Sequence, residues 1–214
     1  MNHADDQRIE RDEPIVSPVL EGSMHQSDQK GPRLQPIEKP SGFRLRMAYW
    51  ATGRPFGKVP TNVKVLVARM PKSVKLFTEV GKFEMKSVRL EKDLHYMIAT
   101  LVSGINGCGY CLDLSRAMAM KERMDMEKFN ALPAYRESPL FSEKERAALA
   151  YAEEATRYKK VSDATFEELR HHFDDWEIVE ITTIVAIHNF YNMLNIPLGI
   201  GSDGFCLIAQ TRNK

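Results

Sequence analysis

Apolar residues recur at spacings of three and four through most of this chain. Between Glu84 and Ile105 they fall at Met85, Val88, Leu94, Met97, Ile98, Leu101 and Val102. That is one face of a helix turning every 3.6 residues, so one long helix is predicted there. Asn106-Gly107 breaks it, and a second helix is predicted from about Cys108 to Met124. Upstream, a short first helix is expected from Phe43, followed by the turn-rich stretch TGRPFGKVP, and helical segments are predicted over Thr61–Arg69 and Ser73–Val80 around Pro71.

Helix starts are signalled downstream. Asp125 caps a short helix carrying Phe129 and Leu132, and Ser142-Glu-Lys-Glu145 is a capping box in front of Ala147, Leu149 and Tyr151. Ser162 and Asp163 start another helix, and Asp174-Asp-Trp-Glu177 opens the last. There Ile178, Val179, Ile181, Ile184, Val185 and Ile187 are apolar nearly all round, which predicts a buried helix. No run alternates with period two between hairpin turns, and the predicted fold class is all-α. The β-branched runs VKVLV (63–67) and ITTIV (181–185) are the places where propensity alone would allow strands.

Residues 1–40 differ from the rest. They hold five of the eleven prolines, many charges and almost no aromatics. Such a composition buries too little apolar surface to offset its ordering entropy, so a flexible N-terminal arm is expected over 1–40 and one helical domain over 41–214. A net charge of +1 argues against nucleic acid or a membrane surface as main partner. No apolar run approaches the ~18–20 residues of a membrane span. The polar, acid-rich first residues resemble neither a secretory signal nor a transit peptide, so a cytoplasmic location is expected.

The candidate chemistry lies in NGCGYCLDLS (106–115), which holds two of the three cysteines. A closed zinc site needs four nitrogen or sulfur ligands, and Cys108 with Cys111 supply half of one, followed only by Cys206 and scattered histidines. Neither a metal nor another cofactor is expected. Redox chemistry is the stronger reading: the pair opens a helix, where unpaired N–H groups and the positive end of the helix dipole favour thiolate. Spacing of three also brings the sulfurs within bonding reach. Two inert buried thiols are the bland alternative. A preceding helix in place of a strand separates this context from thioredoxin.

LVSGINGCGYC (101–111), FSEKERAALAYA (141–152) and NFYNMLNIPLGI (189–200) resemble the carboxymuconolactone decarboxylase-like superfamily, which includes the alkylhydroperoxidase D proteins. The resemblance runs from about Leu45 to Cys206 and implies an all-helical subunit assembling as a homotrimer or homohexamer, with the cysteine pair near a subunit contact. It further implies that Cys111 attacks peroxide and Cys108 resolves it. This chain departs from the alkylhydroperoxidase pattern at two positions. Tyr96 stands where that branch has a glutamate twelve residues before the first cysteine, and Ser115 where it has a histidine four after the second. Asp113 resembles another C-x-x-C branch.

Several residues are candidates to replace the missing proton relay. Tyr96 and Ser115 can donate hydrogen bonds, but neither is a base at neutral pH. His188, on the buried last helix, needs a partner and can face the cysteines from across the bundle. His95, rotated by about 100° from the expected glutamate position, is a surface or interface histidine on this reading. Asp113 either orients a proton carrier or is a solvent-facing helix-start acid. Cys206 and the methionines of RAMAMKERMDM (116–126) are expected to be packing residues. Without a relay, peroxide turnover should be slow near pH 7 and rise towards about pH 8.5 as Cys111 ionises.

The function expected is a thiol-dependent peroxidase or disulfide oxidoreductase, acting on a small hydroperoxide or disulfide and recycled by a dithiol reductant. Two alternatives remain: a lactone decarboxylase-type enzyme, which would need a general base but no thiols, and a helical oligomerisation module without chemistry. Thiol titration separates them.

Overall fold

The computed structural model describes residues 31–86 and 89–212. Its helices begin where side chains satisfy the orphan N–H groups of a first turn. Ser142 accepts from the Glu145 N–H while Glu145 accepts from the Ser142 N–H at 2.8 Å. Asp174 and Glu177 repeat this reciprocal box, Ser162 accepts from the Thr165 N–H, and Asp125 from the Glu127 N–H. The helices are α1 (Phe43–Gly53), α2 (Ser73–Lys86), α3 (Lys92–Ile105), α4 (Gly109–Lys121), α5 (Met126–Ala131), α6 (Glu143–Tyr158), α7 (Asp163–His172), α8 (Asp175–Asn195) and α9 (Phe205–Arg212). There is no strand among the described residues: Val63–Val67 forms a π-helical turn, and residues 181–185 lie inside α8. The fold is all-α.

Helix α3 is central and packs against α4, α6 and α8. Met97, Ile98 and Val102 are fully buried against Leu149, Ile181 and Ile184. Truncating Ile98 to alanine would cost about 2–5 kcal/mol, the loss of transfer energy plus a cavity. A second apolar cluster joins α4 to α9 and contains Phe56, Val65, Tyr110, Ile200 and Phe205 together with both Cys108 and Cys111. The cysteines are therefore embedded in packing that holds the C-terminal helix.

Two helix predictions need correction. The long helix expected over Glu84–Ile105 is two helices, because α2 stops at Lys86 and α3 starts at Lys92. The carboxylate of Glu180 in α8 is buried there, accepting from the N–H groups of Arg89 (2.8 Å) and Leu90 (3.1 Å) and from the Trp176 indole (3.0 Å). A helix running through would divert those N–H groups into its own ladder. Met85, assigned to the buried face, is 79% exposed, and Val88 lies outside the described residues. Helix α8 is likewise not buried all round: Trp176 and Val179 near its start and Phe190 and Met193 near its end are exposed on one side.

Of the stretch expected to be an arm, residues 1–30 lie outside the described residues. Residues 31–40 run along the body, with the Arg33 N–H donating to the Leu198 carbonyl (2.9 Å) and the Ile37 N–H to the Lys64 carbonyl (3.1 Å). The Tyr49 hydroxyl donates to the Ile37 carbonyl at 2.6 Å.

Candidate active site

The turn between α3 and α4 is built by Asn106, the C-cap of α3, and by Gly107, whose φ of 69° suits a residue without Cβ. Cys108 then becomes the N-cap of α4, and its sulfur accepts from the Cys111 N–H at 3.4 Å. Both thiols are free, and the pair approaches to 2.6 Å. Local sequence thus brings two sulfurs together at a helix start.

Helix α8 holds this turn with asparagines three residues apart. Asn106 Nδ2 donates to Asn189 Oδ1 (3.0 Å) and Asn192 Oδ1 (2.8 Å), and Asn195 Nδ2 donates to the Cys111 sulfur at 3.2 Å. Asn192 and Asn195 are almost wholly buried. The Cys108 thiol, hydrogen-bonded to Cys111, lowers the Cys111 pKa below the ordinary thiol value; burial opposes this, and the Asn195 and Asn192 amides add to the lowering. For Cys108 the same shared proton, then burial, pushes the pKa up. Of the two sulfurs, Cys111 is the one whose ionisation its surroundings favour.

The other predicted residues lie elsewhere. Ser115 is buried between α3 and α4, accepting from the Thr100 hydroxyl (3.0 Å) and donating to the Leu112 carbonyl (3.2 Å). Tyr96 stacks on His95 with ring centroids 5.6 Å apart, and burial followed by the charges of Glu122 and Glu84 raises its phenol. Asp113 is neither solvent-facing nor turned to the pair. Two positions beyond Cys111 on α4, it accepts from the Ser202 hydroxyl (2.8 Å) and from the N–H groups of Asp203 (3.1 Å), Phe205 (2.8 Å) and Cys206 (2.8 Å). This ties down the start of α9. Cys206 donates to the Asp113 carbonyl at 3.3 Å, and burial, then Asp113, pushes its thiol up to about 12, as befits a packing residue.

His188 and His95 meet each other, and His95 is buried rather than on the surface. Glu84 of α2 lies between them: its Oε1 is 3.2 Å from His188 Nε2 and 3.5 Å from His95 Nε2. Burial alone would raise the Glu84 carboxyl, but the two imidazoles outweigh it and hold the pKa at about 2. Tyr191 links this group to the thiols. Its hydroxyl donates to Glu84 Oε2 at 3.4 Å, its ring packs on the apolar cluster that contains the cysteines, and its phenol is pushed up by burial, then Glu84, with Cys111 contributing. Sequence reasoning missed Glu84, Tyr191 and the three asparagines. The available signal was polar side chains recurring every three residues on an otherwise apolar helix.

A cavity of about 730 Å³ opens on Cys108, lined also by Pro32, Arg33, Gly107, Gly109 and Ile200. Cys111 is not among its lining residues, although it keeps 7% of its surface exposed against 1% for Cys108.

Residues 71–154 match the Carboxymuconolactone decarboxylase family. The uncharacterized protein YnjA of Escherichia coli (strain K12) is 29% identical over 171 residues, which is 79% of this chain and 93% of that protein. An uncharacterized peroxidase-related protein of Silicibacter sp. TM1040, known as a crystal structure, is 25% identical with a TM-score of 0.72, spanning 85% of this chain and 97% of its own. The alkylhydroperoxidase AhpD core of a peroxidase-related protein from Ralstonia eutropha JMP134 shares the fold at 24% identity and a TM-score of 0.68, covering 83% of this chain and 98% of that one. In the matched segment and in the shared all-helical fold, this chain is similar to the Carboxymuconolactone decarboxylase family and to peroxidase-related proteins of known structure.

Proposed function

We propose that this chain is a thiol-dependent oxidoreductase that reduces small hydroperoxides through Cys111 and Cys108. The observation that carries the reading is the pair of free sulfurs 2.6 Å apart at a helix start, with the Asn195 amide donating to Cys111 at 3.2 Å. The Cys111 thiolate attacks the distal peroxide oxygen; the O–O bond breaks, the alkoxide takes a proton and leaves as an alcohol, and Cys111 becomes a sulfenic acid. The Cys108 sulfur then displaces hydroxide, which leaves as water with the Cys108 proton, and a disulfide forms. A dithiol donor attacks from the cavity at Cys108, releasing Cys111 as the leaving thiolate, and finishes the cycle as the donor's own disulfide. Departure of the lower-pKa sulfur is the faster course. The likeness to a peroxidase-related protein supports the same reading.

By the same resemblance the working form is a trimer or hexamer of this chain, and the exposed side of α8 offers the apolar surface for it.

The test is hydroperoxide consumption with a dithiol reductant. Native protein should turn over, Cys111→Ser should be inactive, and Cys108→Ser should stop after one equivalent with a sulfenic acid trapped on Cys111. Undiminished turnover by Cys111→Ser would remove the proposal. Reduction of disulfides without any hydroperoxide consumption would replace peroxidase by disulfide reductase.

A further inference from the structure

We propose that Glu84, His95 and His188 bind one divalent transition-metal ion of the zinc class, which clamps α2 onto α3 and α8. The three side chains come from three different helices, and one ligand atom of each lies within 4.8 Å of the other two. The separations of Glu84 Oε1 from His188 Nε2 and His95 Nε2, 3.2 Å and 3.5 Å, can be compared with a coordination shell. A tetrahedral ion with bonds of about 2.0–2.1 Å sets its ligand atoms about 3.3 Å apart. The two contacts bracket that edge, and the ligand atoms of the two imidazoles lie within 4.8 Å of each other.

A second observation separates a metal shell from a simple ion pair. His188 Nε2 is buried and makes no hydrogen bond among the described residues, although a carboxylate oxygen is 3.2 Å away. A buried imidazole N–H normally turns onto such an acceptor. A ring nitrogen directing its lone pair at a shared cation has no need to align with Oε1. Outer support is present as well: the Tyr191 hydroxyl donates to Glu84 Oε2, the oxygen not facing the histidines. Two imidazoles and one carboxylate suit zinc and neighbouring transition ions, whereas calcium and magnesium take oxygen ligands.

The placement gives the ion a structural task. Helix α2 buries little of itself: Leu76 is 49% and Met85 79% exposed. Its attachment to α8 includes the Phe77 ring, 6.3 Å from Phe190 and 6.2 Å from Tyr191, and Phe83 beside Trp176 and Val179. An ion held by one α2 ligand and two bundle ligands would cross-link this helix. It would also fix Tyr191, which packs next to the cysteine cluster. The thiols are not among its ligands, and the ion takes no part in the proposed redox steps.

The test uses the full chain carrying Cys108→Ser and Cys111→Ser, so that the thiol pair cannot bind the probe. After chelation and dialysis it is titrated with zinc by calorimetry, and cobalt is used as a spectroscopic substitute. The expected result is one zinc per subunit, a thermal midpoint that rises with zinc, and a visible cobalt spectrum of low-symmetry coordination. Glu84→Gln and His188→Gln should each weaken zinc binding more than tenfold, Tyr191→Phe by about tenfold, and His171→Ala not at all. Absence of zinc binding at micromolar concentration, or binding that survives both Glu84→Gln and His188→Gln, overturns the proposal. If a cluster variant loses its helical circular dichroism, the parent's cobalt spectrum and stoichiometry decide alone, and a spectrum lacking nitrogen ligation also overturns it.

Discussion

The side-chain amide of Asn195 donates to the sulfur of Cys111 across 3.2 Å, from the last turn of α8 to the first turn of α4. Asn195 Oδ1 is buried with no hydrogen bond among the described residues, so the amide's paired atom is the one facing sulfur. A hydrogen bond to a charged group contributes about 1.5–3 kcal/mol. Asn195→Leu keeps the volume and removes both the donor and the unpaired oxygen. Its folding stability should change little, while the pH profile of Cys111 alkylation by iodoacetamide should move about one to two pH units alkaline. An unmoved profile would show that the Asn195 amide does not help to stabilise the Cys111 thiolate.

The two thiols make opposite contributions to stability against pH. Cys111 is lowered in the folded state, so its contribution is complete above the unfolded value of about 8.5 and is lost as the pH falls through the folded value. Cys108 is raised, so its contribution is present below about 8.5 and is lost above it as unfolded thiols ionise. Urea midpoints between about pH 6 and pH 10 should therefore pass through a maximum near 8.5, and Cys108→Ser/Cys111→Ser should flatten it. A maximum of equal height in the double variant would assign it to other groups.

The parts legible in the sequence are those written in neighbouring residues. The capping boxes at Ser142 and Asp174, the break at Asn106-Gly107 and the helix-start position of the thiols all depend on side chains within about a turn of each other. The misread parts depend on partners far along the chain. Glu180 ends the predicted long helix from 90 and 91 residues away, and Asp113 meets its donors 89 to 93 residues on. Glu84 lay unnoticed because its imidazole partners are on two other helices. The apolar circumference of α8 was visible in the sequence, but periodicity cannot say whether its second face is covered by the same subunit or by another.

Asp113 tests the distinction between proximity in sequence and proximity in space. Its carboxylate satisfies one hydroxyl and three backbone N–H groups at the start of α9, and removing it leaves several donors unpaired in a largely buried place. Asp113→Ala should destabilise the fold by about 2–4 kcal/mol, seen as a fall in the urea midpoint. At a temperature where the variant remains folded, Cys111 should alkylate at the native rate. A large change in alkylation with no loss of stability would return Asp113 to the proton-handling role suggested by its position after Cys111.

The exposed side of α8 allows the proposed assembly to be tested. Trp176 is 56%, Val179 64% and Met193 69% exposed, and they share one side of a helix whose opposite side is the core. Fully burying such side chains stabilises by about 1.5–3 kcal/mol each, enough for a few of them to hold a subunit contact against the entropy of association only if the contact extends beyond α8. Light scattering of the native chain should give a trimer or a multiple of it. Val179→Arg with Met193→Arg places charge on that exposed side without touching Ile181 or Ile184 of the core, so the double variant should dissociate while keeping its helical signal. Should the native protein run as a monomer at micromolar concentration, the family's assembly does not extend to this chain; should the double variant remain a trimer, the contact lies on another face and α8 is covered by something else.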